Sequence, residues 1–144
     1  MISNSVNEKM ISFKELEKKI FKYVCELGCE ITRSILEAYD DAVAVKRDKQ
    51  KYRNKGKRAT CIKTVYGSVK YQRRIYGTIT ENGEKAYVYL LDAEMRMDKI
   101  GMISSNLAEK IAMTVTESPY RVTAETISST SGQSISASGV WNVM

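Results

Sequence analysis

The longest regular pattern in this sequence is a helical spacing of apolar residues over 12–45. Nine of these residues recur at intervals of three and four, and we call them the apolar stripe: Phe13, Leu16, Ile20, Val24, Leu27, Ile31, Ile35, Ala38 and Ala42. Ser12 followed by Glu15 is a capping-box pattern, which predicts the start of the helix. Gly28 lies inside the helical pattern and is compatible with a kink or a break there. Because an apolar stripe cannot face water, the helix must cover another element or a second copy of the chain. A homodimer is therefore one expectation.

The middle of the chain predicts a basic arm followed by an antiparallel sheet. Residues 46–58 lack hydrophobic periodicity and contain Gly56, which predicts an extended arm or loop. From Ala59 onward apolar and polar residues alternate, with a turn predicted at 66–68, although Arg73 interrupts the apolar face. Asn82-Gly83 predicts a second hairpin, since this pair favours the tight turn between antiparallel strands. "KAYVYLL" after it predicts the last of three strands within 60–91.

Helical spacing returns after Asp92. One helix is predicted around "ISSNLAEKIAMTVT", with Ser104 or Ser105 as its cap. Ser118-Pro119 predicts the start of a second helix that ends before Gly132, and Ser136 is placed to cap a last one. The chain is thus predicted to be α+β: a long N-terminal helix (1–45), a basic arm with a small three-stranded antiparallel sheet (46–91), and a helical unit (92–144).

This C-terminal unit resembles a helix-turn-helix. Ser128 lies four residues before Gly132, where a small side chain lets two helices approach and a glycine permits the sharp turn. A recognition helix from Ser136 onward would then enter a major groove. Amide and hydroxyl side chains form hydrogen bonds with base edges in that groove. The candidate base-reading residues are Gln133, Ser136, Ser138 and Asn142. The alternative is three packed helices that contact no nucleic acid.

Positive charge is concentrated in one segment. The chain has a net charge of +6, but Lys46–Arg74 holds twelve lysines and arginines against one acid, Asp48, and the rest of the chain is net negative. Such a patch predicts a polyanionic partner, and the alternative is a solvated lysine-rich loop. Candidate phosphate contacts are Arg53, Lys55, Lys57, Arg58, Lys70, Arg73 and Arg74. The interleaved tyrosines either stack on bases or pack the sheet.

Few residues suit catalysis. The chain has no histidine, which excludes histidine acid–base chemistry and histidine metal ligands. Cys25 and Cys29 lie four apart, but no second pair completes a zinc site, and buried helical cysteines are the better interpretation. No glycine-rich phosphate loop, signal peptide or membrane-length apolar run occurs, and the three cysteines fit a reducing cytoplasm. We therefore expect neither a metal site nor a cofactor in this chain.

Five segments follow one another along the chain: "FKELEKKIFKYVCELGCEI", "RDKQKYRNKGKRATCIKTVYGSVKYQRRIYG", "YVYLLD", "IGMISSNLAEKIA" and "SPYRVTAETISSTSGQSISASGVWNV". In this order they resemble the N-terminal part of ISLre-type insertion-sequence transposases, a group also catalogued as an uncharacterised bacterial protein family. The stretch Arg53, Gly56 and Arg58 is also similar to the R-x-x-G-x-R pattern of mutator-like transposases.

The resemblance implies that this region binds double-stranded DNA at the terminal repeats of a mobile element, in a bacterial cytoplasm and near the nucleoid. It places the metal-dependent catalytic carboxylates in a downstream domain, and none of them maps onto the present residues. We therefore expect a non-catalytic chain, equivalent to a truncated transposase. Two other function classes remain open: an interaction or dimerisation module, and a protein that binds RNA on the sheet.

Overall fold

The computed structural model describes residues 10–97, 102–115 and 120–143. Its elements, in chain order, are α1 (Phe13–Lys46), β1 (Arg53–Thr64), β2 (Gly67–Ile79), β3 (Lys85–Val88), α2 (Leu90–Glu94), α3 (Ser105–Val115), α4 (Tyr120–Thr130) and α5 (Ala137–Val143). The predicted α+β class is confirmed: a long helix and a three-stranded antiparallel sheet are followed by several short helices. The predicted helix start at Ser118-Pro119 lies outside the described residues.

Helix α1 is continuous over 34 residues. It begins as its capping pattern predicts, because the Ser12 hydroxyl accepts a hydrogen bond from the Glu15 backbone N–H at 3.3 Å. Gly28 does not break it. This glycine instead gives room to the Tyr66 ring, since a Cβ added there would come within 2.8 Å of two ring carbons. Close packing of helix against hairpin therefore explains the glycine.

Helix α1 buries the face opposite its apolar stripe. The residues that pack into the fold are Cys25, Leu36 and Asp40, whereas all nine residues of the apolar stripe are exposed. The spacing thus identified the helix correctly, and the sheet covers a narrower face of mixed polarity. Within the described residues, no helix has the length and hydropathy that crossing a membrane would require.

The sheet has the order β1-β2-β3, with both pairs antiparallel. The first hairpin turns at 65–66, one residue before the predicted position, and the second turns through the predicted Asn82-Gly83. Strand β3 stops at Val88, earlier than predicted, because the chain enters α2 and places Leu91 fully inside the core. Strand β1 begins at Arg53, so the sheet starts well before the predicted residue 60.

The core consists of two clusters. One joins α1 to the sheet and contains Leu36, Ile62, Val69, Tyr71 and Leu91. The other holds the C-terminal helices together and contains Ile103, Leu107, Ala108, Ile111, Ala124, Ile127, Ile135 and Val140. Burial of apolar side chains at roughly 25 cal/mol per Å² is the main stabilising contribution of each cluster.

Backbone hydrogen bonds connect the C-terminal helices to the first hairpin. Lys63 donates its N–H to Met102 O at 2.9 Å and accepts from Ser104 N–H at 2.8 Å, while Gly132 donates to Val65 O at 2.8 Å. Ser104 is also the cap of α3, because its hydroxyl accepts the Leu107 N–H at 3.3 Å. The hairpin tip is therefore held between α1 on one side and the C-terminal helices on the other.

Candidate nucleic-acid interface

The prediction of an extended arm or loop over residues 46–58 is wrong for 53–58, which form the start of strand β1, whereas 47–52 lie outside any helix or strand. Lys46 ends α1, and a short turn leads directly into β1. The single acid of the segment shapes that turn: the Asp48 carboxylate accepts the backbone N–H groups of Gln50 and Lys51 at 2.9 and 3.2 Å. Asp48 therefore acts on the backbone, as an aspartate at the start of a turn often does.

Four of the predicted phosphate contacts lie on β1: Arg53, Lys55, Lys57 and Arg58. All four are exposed. A bulge between Asn54 and Lys57 shifts the register against β2, and Gly56 adopts the positive φ of 98° that this irregularity requires. Pairing with β2 turns a lysine-rich sequence of low strand propensity into a strand, which is a tertiary effect on local preference.

Arg53 and Lys55 line an open groove with two further cations, Lys51 and Lys85. The groove has a volume of about 380 Å³, and its remaining lining residues are Gln50, Gly77, Thr78, Ile79, Ala86 and Tyr87. It therefore contains four cationic side chains and no carboxylate. Lysine and arginine side chains in a groove lined by no carboxylate leave their charge available to an anionic ligand. We call this feature the basic groove.

Lys85 was missed by the sequence analysis because it lies outside the basic segment. It enters through the second hairpin, where Ile79 pairs with Lys85 and Gly77 pairs with both Tyr87 and Arg53. The Asn82-Gly83 turn was the sequence feature that could have identified Lys85 as part of this site. The turn of a hairpin fixes the register of its strands, and here that register brings the start of β3 beside the end of β2.

Arg73 and Arg74 are paired inside the fold. Arg73 is only 8% exposed, and its guanidinium bonds to Asp92 and lies 3.8 Å from the centre of the Tyr89 ring. Arg74 donates to Asp40 and to Asp41, each at 2.7 Å, and the buried Asp40 also accepts the Arg74 backbone N–H at 3.0 Å.

These ion pairs join α1 and α2 to the middle strand. The hydrogen bond from Arg74 lowers the pKa of the Asp41 carboxyl and also raises the pKa of Arg74. Arg73 interrupted the apolar alternation in the sequence because its charge has a partner, Asp92, on the next helix. The structure thus gives both arginines a role within the fold and leaves Lys70 as the exposed cation of β2 among the predicted contacts.

The predicted base-reading residues fall into two groups. Gln133 is only 5% exposed, accepts a hydrogen bond from Ser68 and donates one to the Ser134 carbonyl, so its amide is used inside the fold. Ser136, Ser138 and Asn142 are exposed at or on α5. Ser136 caps that helix, as predicted, by accepting the Gly139 N–H at 3.1 Å.

The link between α4 and α5 is more tightly bonded than the predicted helix-turn-helix turn requires. The Ser128 hydroxyl accepts the Ile135 N–H at 2.9 Å and donates to the Ile135 carbonyl at 3.1 Å. Gly132 does not adopt a left-handed φ. Its place is set by the first hairpin, because an added Cβ would lie 2.0 Å from the Tyr66 carbonyl oxygen. Both residues that suggested the motif therefore fix the linker in position.

The cysteines form no metal site in the described part of the chain. Cys25 is buried and Cys29 half-buried on α1, and burial is the main cause of the raised pKa of the Cys29 thiol. Over 10–97, 102–115 and 120–143, no three cysteine, aspartate or glutamate side chains come together as possible ligands of one metal ion.

Comparison with known proteins gives one match. Residues 6–144 match the model of the Uncharacterised protein family (UPF0236), which covers nearly the whole chain. No curated protein and no solved structure matches the chain significantly.

Proposed function

The chain belongs to the Uncharacterised protein family (UPF0236), and from that starting point we propose that it binds double-stranded DNA. The basic groove is the observation that carries this proposal, because four cations surround it without a carboxylate. The family supplies no activity, so the argument rests on the charges and shape of this surface. Lysine and arginine bind phosphates and release the counterions that screen them, which makes such a groove a site for a polyanion.

An extended ligand suits the distribution of the exposed cations. Lys57 and Arg58 continue the charge along β1, and Lys70 pairs with Cys61 eight residues beyond Arg53. At roughly 3.3 Å per residue, these cations span about 26 Å along the hairpin. Duplex DNA carries one phosphate charge per about 1.7 Å of its axis, so it offers several phosphates over that length, whereas a small phosphorylated metabolite does not.

The helical unit supports a duplex as the form of nucleic acid. Ser138 and Asn142 are exposed on α5, and both are side-chain types that contact base edges. The short α5 has seven residues, so the phosphate contacts of the sheet supply most of the affinity in this proposal.

A finer proposal concerns the role of this binding. The order of the five sequence segments supports the interpretation that the chain is the end-binding region of an ISLre-type transposase and recognises terminal repeats near the nucleoid. In that role this region is not catalytic, and the metal-dependent chemistry belongs to a downstream domain. Its cations hold the DNA while that other domain acts on it.

A salt titration tests the DNA proposal. Binding of a fluorescent duplex is measured by anisotropy for the wild-type chain and for Arg53→Gln/Lys55→Gln/Lys85→Gln. Each lost phosphate contact reduces the slope of log affinity against log salt by about 0.9, so the triple variant is expected to lose between two and three units of slope. These side chains are exposed, so far-UV circular dichroism is expected to show an unchanged fold.

A matched control carries the same loss of charge elsewhere. Lys14→Gln/Lys18→Gln/Lys22→Gln removes three exposed lysines of α1, none of which lines the basic groove. We expect this control to change the slope by less than about one unit. Equal slopes for the two triple variants would refute the basic groove as the DNA site. A clear preference for single-stranded RNA in competition would replace DNA with RNA as the ligand.

A further inference from the structure

The apolar stripe of α1 is an extended hydrophobic surface that the described fold leaves uncovered. Its seven large residues are between 41% (Leu16) and 75% (Phe13) exposed. Three further exposed aromatic residues, outside the stripe, lie on the same helix: Phe21, Tyr23 and Tyr39. Monomeric proteins rarely expose a contiguous apolar patch larger than a few hundred Å², and larger patches mark interaction surfaces.

The stripe has a regular repeat. Its spacing is three, four and four residues from Phe13 to Val24, and the same three intervals repeat from Val24 to Ile35. An eleven-residue repeat has about 3.67 residues per turn, close to the 3.6 of a straight helix, so the stripe stays on one side of α1 over its whole length. Core packing cannot explain this regularity, because the sheet lies against the opposite face.

We propose that the occupant of this stripe is α1 of a second copy, which makes the chain a homodimer. The partner of a straight stripe must itself be long and carry the same repeat. Helix α1 has 34 residues, whereas the next longest helices in the described ranges, α3 and α4, have 11 each. A second α1 meets both requirements by symmetry, as in most homodimers.

The area of the stripe is sufficient for a stable dimer. Its seven large side chains are about half exposed and present roughly 600 Å² per protomer, so a symmetric pair buries on the order of 1,200 Å², the lower end of stable interfaces. Contacts of the flanking Phe21, Tyr23 and Tyr39 would increase this area. All nine positions of the stripe are apolar, so burying it leaves no charge without a partner at the centre of the interface.

The test is the mass of the full chain in solution, measured without DNA by light scattering after size exclusion and by sedimentation velocity. The wild type is expected to have twice the 16.3 kDa mass of one chain. Ile20→Glu/Ile31→Glu places two carboxylates one repeat apart in the interface and is expected to raise the dimer dissociation constant at least about 100-fold. Both isoleucines are exposed in one protomer, so circular dichroism is expected to show an intact fold.

Lys18→Glu is the control. It makes the same change in net charge as the double variant, but Lys18 lies two residues from Ile20 and hence about 200° around the helix. This control is expected to remain dimeric. A wild-type chain that is monomeric at about 100 µM, or a double variant that remains dimeric, would overturn the proposal. Since no DNA is present, this result is independent of the outcome of the salt titration.

Discussion

Replacing Gly132 with alanine tests how the C-terminal helices are held on the hairpin. A Cβ at this position would lie 2.0 Å from the carbonyl oxygen of Tyr66, 2.5 Å from its carbonyl carbon and 2.8 Å from Cys25 Sγ. The first two atoms belong to the backbone, so no side-chain rotation relieves the clash. Because an ordinary carbon–oxygen contact is about 3.3 Å or longer, the linker and the hairpin must separate by more than about 1 Å.

That displacement also removes a hydrogen bond. Gly132 donates its N–H to Val65 O at 2.8 Å, and a shift of more than about 1 Å takes this pair beyond bonding distance. Steric strain and the lost hydrogen bond together are expected to lower the free energy of unfolding by about 3–5 kcal/mol. For a domain of this size the melting temperature then falls by roughly 10 °C.

Urea unfolding, followed by Trp141 fluorescence and far-UV circular dichroism, measures the effect. The only tryptophan, Trp141, packs edge-on against Tyr120 at 5.4 Å, so it reports on the C-terminal unit. Gly83→Ala is the control: Gly83 has a φ of 80° but no atom within 4 Å of an added Cβ, so the expected cost is only about 1 kcal/mol. If Gly132→Ala cost no more than Gly83→Ala, the close contact described here would be refuted.

Two further predictions concern ionisable side chains of α1 and β2. Asp40→Ala leaves Arg74 without its buried partner and is expected to lower the free energy of unfolding, measured in urea, by about 3 kcal/mol. Asp41→Ala is expected to cost much less, because Asp41 is exposed. Equal effects would contradict the conclusion that Asp40 is the main partner of Arg74. Burial raises the pKa of Tyr71 to about 12, so this phenol stays protonated in the folded chain while its unfolded counterpart ionises near pH 10. The stability that this phenol contributes is complete below about pH 10 and is lost as pH rises toward 12, by up to about 1.4 kcal/mol per pH unit. Tyr71→Phe is expected to flatten this pH dependence of the unfolding free energy in urea titrations. An unchanged pH dependence would refute the role of Tyr71.

Local patterns predicted the elements well, because local interactions determine them. The spacing of α1, the Ser12 cap and the Asn82-Gly83 turn all involve residues within a few positions of each other, and all three are found. What the helix packs against was not predictable. Periodicity shows which residues share a face, but the face that meets the sheet holds the buried Asp40, whose partner Arg74 is 34 residues away.

The same limit explains the differences within the candidate site. Arg73 and Arg74 had the same sequence signal as the exposed lysines, because nothing local distinguishes a cation with a distant acidic partner from one without. Conversely, Lys85 lies outside the charged segment and joins it only through the register of β2 and β3. The strand at Arg53 likewise depends on pairing with β2, which overrides the low strand propensity of its lysines.

The two proposals have a joint geometric consequence. Helix α1 is about 50 Å long, and the basic groove begins at Gln50 and Lys51, just beyond its C-terminal end. In a parallel dimer both grooves therefore lie at the same end of the helix pair and can contact one duplex at neighbouring turns. In an antiparallel dimer they lie about 50 Å or more apart and face separate DNA segments. The direction of α1 pairing thus decides whether two copies hold one DNA site or bring two sites together.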